Sequence, residues 1–414
     1  MKIGGIAPAL GLAVLAAFAL SACDQSGLAH RSQAPIPYQT VALMEQIGTT
    51  KEAPMLIRAY KKEAELEIWK MRSDGRYVHL KTFPMCRWSG QLGPKRQQGD
   101  RQVPEGFYAI GPAQMNPNSS YYLSFNVGYP NALDRALGHT GGDIMVHGAC
   151  SSAGCFSMTD NQIAEIYAIA RSSLAGGQRS IQMQSYPFRM TALNLAKHRL
   201  DPNIDFWKQL KEGSDHFELT LQEPQVGFCN RRYVFNAEGA EHLDPNAACP
   251  PLQQNPEVAQ AVAERRAQDE AKVAELAQRG VKPVRVVYQD GGQHPSFASR
   301  VSQVSRPETI VAPTEIDLDE KPGWGGGQAA AKSAASPVVT SAAAKAADNS
   351  GKPVRVMAMA TARSDRRDMS ALAASDPSPT NSVKKPSGAH RAALMDDIPI
   401  PPASIGVRRP SRVH

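Results

Sequence analysis

The aromatic residues of this chain stop long before its end, and this limits how much of it can fold around a core. Beyond Phe297 the only Phe, Tyr or Trp among the 414 residues is Trp324. A segment with so few large apolar side chains cannot bury enough surface to offset the conformational entropy lost on ordering. We therefore expect a globular part followed by a low-complexity, disordered, basic tail over residues 281–414.

The position of the basic residues argues against a nucleic-acid-binding protein. More than half of the formal net charge of +7 lies from Val301 onwards, spread through the polar tail. A nucleic-acid-binding domain instead clusters Lys and Arg on one face of a folded domain. We therefore expect no nucleic-acid partner, and a solvated tail able to contact anionic polymers of the cell envelope.

The first residues have the form of a secretory signal. Lys2 precedes an apolar run over residues 6–20, which is short for a transmembrane span and typical of a signal's hydrophobic region. The run ends in Leu20-Ser21-Ala22-Cys23, which resembles a bacterial lipobox, whose cysteine is lipidated and becomes the new N-terminus. An ordinary signal peptide cut near the same place is the alternative.

The lipobox interpretation predicts an exported protein held by a lipid. Residues 1–22 are then a lipoprotein-type signal peptide, Cys23 is lipidated, and residues 23–37 form a polar tether. Asp24 resembles the signal that retains enterobacterial lipoproteins in the inner membrane. The expected location is the periplasm of a Gram-negative-type bacterium, with a membrane as partner through the lipid anchor.

Alternating apolar residues predict a mainly β fold with a few helices over residues 38–252. The strongest signal is a hairpin, with alternation over residues 66–70 and 77–83 around the turn Asp74-Gly75. Further strands are expected over residues 106–110, 121–126, 144–147 and 181–184. Helices are expected over residues 41–45, 55–62 and 206–210 and from Thr159 to Gly176, where a capping box begins the helix. A further, solvated helix is expected over residues 253–280.

One segment concentrates residues that could carry chemistry. His147, Cys150 and Cys155 lie between a predicted strand and the capped helix, together with Gly148 and Gly154. A thiol just before a helix N-terminus is favoured as a thiolate, so Cys155 is a candidate nucleophile and His147 its base. Gly154 would let the backbone approach a substrate, and nearby N–H groups would form an oxyanion hole.

Spacing alone leaves other interpretations of this segment open. Cys150 and Cys155 could form a disulfide, which an exported location permits. His147 could instead bind a metal with both cysteines, although three ligands at this spacing match no standard zinc pattern.

Several ordered motifs resemble a known family. The stretch from His147-Gly148 to Ser152-Ala153-Gly154-Cys155 is similar to the active-site segment of YkuD-type L,D-transpeptidase domains, most closely the YafK-like branch. Other segments that resemble this branch are 89–95, 99–100, 103–108, 116–119, 129–132 and 187–190. The resemblance covers roughly residues 55–249, about half of the chain.

The resemblance implies a β-rich fold and a cysteine mechanism. By analogy, the Cys155 thiolate attacks the carbonyl at the L-centre of diaminopimelate in peptidoglycan stem peptides and forms a thioester. His147 is the general base and acid, the Gly148 carbonyl orients its imidazole, and the Gly154 backbone belongs to the oxyanion region. The resemblance implies no metal and no organic cofactor.

The sequence departs from the common branch beside the nucleophile. Ala153 stands where that branch has a second histidine, a loss that the YafK-like branch shares. That branch includes an enzyme that detaches a lipoprotein from peptidoglycan, so both transpeptidation and hydrolysis are implied, the latter with a wall-linked envelope protein as a partner. The alternative is a catalytically silent lipoprotein that tethers peptidoglycan.

The remaining cysteines and three basic residues have possible roles. Cys229 and Cys249 could form a disulfide worth about 3 kcal/mol by the chain-entropy model. Cys86 could bridge to Cys150, or exchange could modulate Cys155. Arg87, Lys95 and Arg101 are candidates for binding stem-peptide carboxylates.

Overall fold

The computed structural model describes residues 31–319. The predicted signal peptide, the lipidation residue Cys23 with its neighbour Asp24, and the tail from residue 320 onwards lie outside the described residues. None of the helices between residues 31 and 319 is long and apolar enough to cross a bilayer.

A five-stranded sheet forms the larger part of the core. Its strands follow the order β3-β2-β1-β9-β4, and only the central pair β1 and β9 is parallel. The strands are β1 (Met55–Tyr60), β2 (Glu65–Met71), β3 (Tyr77–Pro84), β4 (Gly106–Ile110) and β9 (Ile181–Tyr186). The predicted mainly β architecture is therefore confirmed.

The predicted helix over residues 55–62 is wrong, because this segment is the central strand β1. Every residue of β1 is buried, since β2 and β9 flank it and other elements cover both faces of the sheet. Such a strand shows no alternation of polar and apolar residues, and a short apolar run cannot be told from a buried helix by periodicity.

The predicted hairpin is confirmed. Strands β2 and β3 pair antiparallel, and Gly75 in the connecting turn has a φ of +78°. This left-handed conformation favours glycine, which explains the Asp-Gly pair at this position.

A smaller four-stranded sheet carries the segment around Cys155. Its order is β5-β6-β7-β8, with β7 and β8 parallel. The strands are β5 (Met115–Asn116), β6 (Ser124–Asn126), β7 (Met145–His147) and β8 (Phe156–Ser157).

Helices pack around the two sheets. They are α1 (Tyr38–Gln46), α2 (Ala132–Ala136), α3 (Asp160–Ala175), α4 (Ala192–Lys197), α5 (Ile204–Thr220) and α6 (Pro256–Gln278). The predicted capping box holds, since Thr159 and Gln162 exchange backbone and side-chain hydrogen bonds at the start of α3. Helix α6 is mostly exposed but buries Val262 and packs on α4 and α5.

The chain remains folded past the predicted start of the tail at residue 281. Two two-stranded antiparallel sheets lie in the last third of the described chain, β10 (Val226–Cys229) with β11 (Arg232–Phe235), and β12 (Val284–Val287) with β13 (Thr314–Asp317). Between β12 and β13, Tyr288, Phe297 and Val304 are buried. This segment has too few apolar residues for a core of its own, but it covers surface that the rest of the fold supplies.

Candidate active site

The parallel pairing of β7 and β8 brings His147 and Cys155 to the same face of the smaller sheet. His147 ends β7 and lies opposite Ser157 in β8, while Cys155 directly precedes β8. Side chains alternate between the faces of a sheet, so a residue two positions before Ser157 lies on the face that carries His147.

The imidazole of His147 is held by the backbone of the next residue, Gly148. Its Nδ1 lies 2.6 Å from the carbonyl oxygen of Gly148, and its ring centroid lies 4.6 Å from that of the half-exposed Tyr121. A carbonyl oxygen only accepts hydrogen bonds, so we assign the proton of the neutral ring to Nδ1, which leaves Nε2 as an acceptor. Burial lowers the pKa of His147, although its bond to Gly148 opposes this.

The thiol of Cys155 is unpaired and partly enclosed. Its Sγ accepts a hydrogen bond of 3.4 Å from the Met145 N–H and lies 4.0 Å from the carbonyl oxygen of Asp143. Burial raises the pKa of Cys155, whereas the Met145 N–H and the charge of Lys95 act to lower it. At neutral pH the free protein therefore holds Cys155 as a thiol and His147 as a neutral imidazole.

This protonation state differs from the expectation of a thiolate stabilised by a helix. Cys155 does not lie at a helix N-terminus, because strand β8 separates it from α3, which begins at Asp160. The effect of a helix dipole falls off within the first turn, so burial decides the thiol pKa here.

The atoms packed around Gly148 leave no room for a side chain at this position. A Cβ at this position would lie 2.5 Å from Oδ1 of Asp160 and 2.9 Å from the carbonyl oxygen of Tyr121. The Gly148 N–H donates to that same carbonyl at 3.0 Å, and the next N–H, of Ala149, donates to Asp160 at 2.8 Å. The backbone that orients His147 is thus fixed against β6 and α3.

Ser152 organises the turn before Cys155, a role that the sequence did not reveal. Its Oγ accepts hydrogen bonds from the N–H groups of Gly154, at 3.3 Å, and Cys155, at 3.2 Å, and donates to the Cys155 carbonyl at 2.7 Å. In the free protein these two N–H groups are therefore occupied, and the expected oxyanion hole remains a prediction. Gly154 is required for its φ of +122°. A hydroxyl three residues before Cys155 is the pattern of a local side-chain turn, and it was the available signal.

The cysteine pairing resolves the alternatives that spacing left open. Cys86 is bonded to Cys150 and Cys229 to Cys249, and within residues 31–319 only Cys155 is a free cysteine. Cys150 is therefore not available to Cys155. The described part of the chain contains no group of His, Cys, Asp and Glu side chains that could hold a metal ion.

The three basic residues considered for substrate binding are engaged within the protein. Arg87 is completely buried and donates to the Trp88 carbonyl at 2.7 Å and to Thr309 at 2.9 Å, so it is not placed to meet a substrate. Lys95 is also buried, and its Nζ binds Asp100 at 2.5 Å.

Arg101 is partly exposed but is hydrogen-bonded to the turn before Cys155. Its Nη2 donates to the carbonyl of Ser152 at 2.9 Å and to Asp290 at 2.8 Å. Arg101 and Lys95 therefore lie close to the Cys155 segment, where they support the structure, and Arg87 lies beneath it.

Comparison with known proteins shows the family to which the chain belongs. The model of the L,D-transpeptidase catalytic domain, YkuD, matches residues 62–176. The protein named "Putative L,D-transpeptidase YafK" is 39% identical over 221 residues in both Escherichia coli K12 and O157:H7, which covers 53% of this chain and 88% of the relative. The chain belongs to the YkuD L,D-transpeptidase family. It is therefore an enzyme of the acyltransferase class that acts on peptidoglycan stem peptides.

Two solved structures show a limited likeness. The helical cell shape determining protein Pgp2 from Campylobacter jejuni is 17% identical, with a TM-score of 0.26 over 46% of this chain and 80% of that one. Bd1075 of Bdellovibrio bacteriovorus is 14% identical, with a TM-score of 0.25 over 42% of this chain and 76% of that one.

Proposed function

We propose that this protein is a cysteine-dependent peptidoglycan enzyme in which Cys155 attacks the carbonyl at the L-centre of diaminopimelate. The observation that carries the proposal is the position of the free Cys155 directly before β8, the strand that pairs in parallel with the end of β7 at His147. The bond from Nδ1 of His147 to Gly148 leaves Nε2 able to accept the thiol proton.

The proposed reaction has two halves. His147 takes the proton of Cys155, Sγ bonds to the substrate carbonyl carbon, and the carbonyl π pair moves onto oxygen. When that pair returns, the carbon–nitrogen bond breaks, and the amine leaves with the proton held by His147. A second amine or water then attacks the thioester carbon while His147 accepts its proton. The carbon–sulfur bond breaks, and the proton on His147 passes to Sγ, which restores the thiol.

The oxyanion requires donors that are occupied in the free protein. The N–H groups of Gly154 and Cys155 both donate to Ser152 Oγ. In the proposed mechanism the Ser152 side chain rotates away as the oxyanion forms, so that these donors turn from a neutral hydroxyl to a charged acceptor, with which hydrogen bonds are stronger.

The acceptor decides the biological outcome. Transfer to an amine would form a cross-link or attach a protein to the wall, and transfer to water would release a wall-linked protein or peptide.

We propose that the protein is located in the periplasm and is anchored to a membrane by lipidated Cys23. A Cys23→Ala variant should therefore carry no lipid. Growth with a radiolabelled fatty acid tests this, because label retained by the variant would contradict the anchor.

The central experiment compares the protein with its Cys155→Ala variant on a disaccharide-tetrapeptide substrate. Turnover by the wild type, none by the variant and a thioester mass on the wild type alone are expected. Equal substrate binding by both with no turnover by either would instead favour the silent tether. Mass spectrometry of muropeptides and wall-linked proteins after overproduction then gives the direction, since a rise in diaminopimelate-linked products excludes a pure hydrolase.

A further inference from the structure

A segment near the end of the described chain lies across the turn that precedes Cys155. We refer to residues 288–310 as the strap. Its Gly292 exchanges both backbone hydrogen bonds with Trp88, at 2.9 and 3.1 Å, and its Ser305 N–H donates to the Cys150 carbonyl at 3.1 Å. The Ser305 Oγ accepts from the Ser152 N–H at 3.3 Å. The strap lies outside residues 62–176, which match the family model.

One carboxylate in the strap faces three guanidinium groups. Asp290 is buried, and its Oδ2 accepts from Arg306 at 2.7 Å, Arg101 at 2.8 Å and Arg87 at 3.3 Å. Its Oδ1 accepts from the Gly90 N–H at 3.2 Å. Asp290 therefore joins the strap to the segment over residues 87–101 and balances part of its positive charge.

Arg101 continues this connection to the site. The same Nη2 that binds Asp290 also donates to the Ser152 carbonyl at 2.9 Å. The Ser152 hydroxyl in turn holds the Cys155 N–H at 3.2 Å. A continuous path of hydrogen bonds thus runs from Asp290 through Arg101 and Ser152 to the backbone of Cys155.

We infer that Asp290 is a positioning residue for Cys155, acting through Arg101 and Ser152. The inference rests on the proposed function, in which Cys155 is the nucleophile. Without the carboxylate the three guanidinium groups repel one another, and Arg101 loses the partner that holds it against Ser152. The turn before Cys155 then loosens, and displacing a nucleophile by about 1 Å can cost roughly a hundredfold in rate.

A positioning role and a purely electrostatic role predict opposite effects on turnover. Removing the charge of Asp290 leaves a more positive field near Cys155, and a positive field favours the thiolate. If charge were the whole effect, Asp290→Asn would raise both the alkylation rate of Cys155 and turnover at neutral pH. If position matters, turnover falls whatever the thiolate fraction becomes.

The test uses full-length protein with Asp290→Asn and the matched control Asp319→Asn. Asp319 lies in the same part of the chain but pairs with Arg199 at 3.4 Å, away from the strap contacts, and is more than half exposed. We expect kcat to fall at least about tenfold for Asp290→Asn with KM within about twofold, and Asp319→Asn to match the wild type. A folded Asp290→Asn with kcat within twofold of the wild type would overturn the inference.

A double-mutant cycle tests the path. Because Asp290 acts through Arg101, the double variant with Arg101→Gln should lose no more kcat than the worse single variant. Losses that multiply would contradict the path. If circular dichroism shows that Asp290→Asn does not fold, Arg101→Gln alone serves as the test. We then expect kcat to fall about tenfold in Arg101→Gln. An unchanged kcat would overturn the inference.

A second readout separates this inference from the proposed function. The iodoacetamide rate at Cys155, followed by mass spectrometry across pH, needs no turnover. We expect the rate profile to shift in the same direction in Asp290→Asn and Arg101→Gln, because both loosen the turn before Cys155, and to stay unchanged in Asp319→Asn. A pure charge effect would shift the first two profiles in opposite directions, since one variant removes a negative charge and the other a positive one. If the wild type turns over no substrate, the proposed function fails while this profile still tests the strap, and an unshifted profile overturns the strap inference alone.

Discussion

The Nδ1 atom of His147 lies 2.6 Å from the carbonyl oxygen of its neighbour Gly148, so the residue that follows His147 also orients its ring. This bond fixes the tautomer without any carboxylate partner. A ring held in this way is a neutral hydrogen-bond acceptor at Nε2, and burial keeps it neutral by lowering its pKa.

The first prediction concerns pH. Burial lowers the pKa of His147 and raises that of Cys155, so the resting pair is neutral. The base is then active at every pH above the ordinary imidazole value of about 6.5, and the fall of kcat/KM on the acid side should lie below that value. Iodoacetamide labelling of Cys155 should keep rising beyond about pH 8.5, the ordinary thiol value. A labelling midpoint below pH 7 would show a preformed ion pair instead.

The second prediction concerns Gly148. In Gly148→Ala the added Cβ would meet Asp160 Oδ1 at 2.5 Å, so the backbone must move and take the His147 acceptor with it. We expect kcat to fall at least about tenfold and the free energy of unfolding to fall by about 1–3 kcal/mol. Gly142→Ala is the control, since a Cβ there meets nothing within 4 Å. Equal kcat in the two variants would contradict the prediction, and urea unfolding with steady-state kinetics measures both.

The third prediction compares the two disulfides. The Cys86–Cys150 bond closes a separation of 64 residues and the Cys229–Cys249 bond one of 20. On the chain-entropy model, replacing each pair by alanine lowers the free energy of unfolding by about 4 and about 3 kcal/mol.

Activity should distinguish the two disulfides more sharply than stability. Only Cys150 lies in the turn between His147 and Cys155, so only loss of the first pair should reduce kcat in protein that is still folded. An equal loss of kcat in both variants would mean that the first disulfide has no special role at the site.

The fourth prediction concerns a buried ion pair beneath the segment over residues 87–105. Lys61 and Glu105 are fully buried 2.8 Å apart, and Lys61 Nζ also donates to the carbonyls of Gly93 and Val103. Lys61→Met leaves the Glu105 charge unpaired, and we expect a loss of about 3–5 kcal/mol in urea unfolding. Adding Glu105→Gln should recover part of it, since an amide oxygen still accepts from Gly93 and carries no charge. A single variant as stable as the wild type would contradict this.

Local patterns in the sequence predicted the local structure well. The Asp74-Gly75 hairpin and the Thr159 capping box depend on neighbouring residues, so their signals are complete within a few positions. Strand β1 was missed because its burial depends on elements about a hundred residues or more later in the chain, among them its pairing partner β9 and the helix α3 that packs on it. Pairing partners of that kind leave no periodicity to read.

The residues of the candidate site show the same contrast between local signals and contacts with distant parts of the chain. His147, Gly148 and Cys155 could be proposed from the sequence because their motif is contiguous, and the Gly148 carbonyl accepts from His147 in the way the resemblance implied. The burial of Arg87 and its bond to Thr309 depend on a part of the chain that composition assigned to the tail. The composition of a segment indicates whether it can form a core of its own. It does not indicate whether the segment covers a core formed by the rest of the chain.

The position of Asp290 in the chain has a consequence for the order of folding. Asp290 comes 135 residues after Cys155, so their connection is among the long-range contacts of the fold. Contacts across such separations require a large loop to close first, which slows their formation. The turn before Cys155 therefore reaches its final form late, after both sheets can have paired. A nascent chain that ends before residue 290 contains Cys155 and His147 but lacks the contacts that Asp290 makes with Arg101 near them.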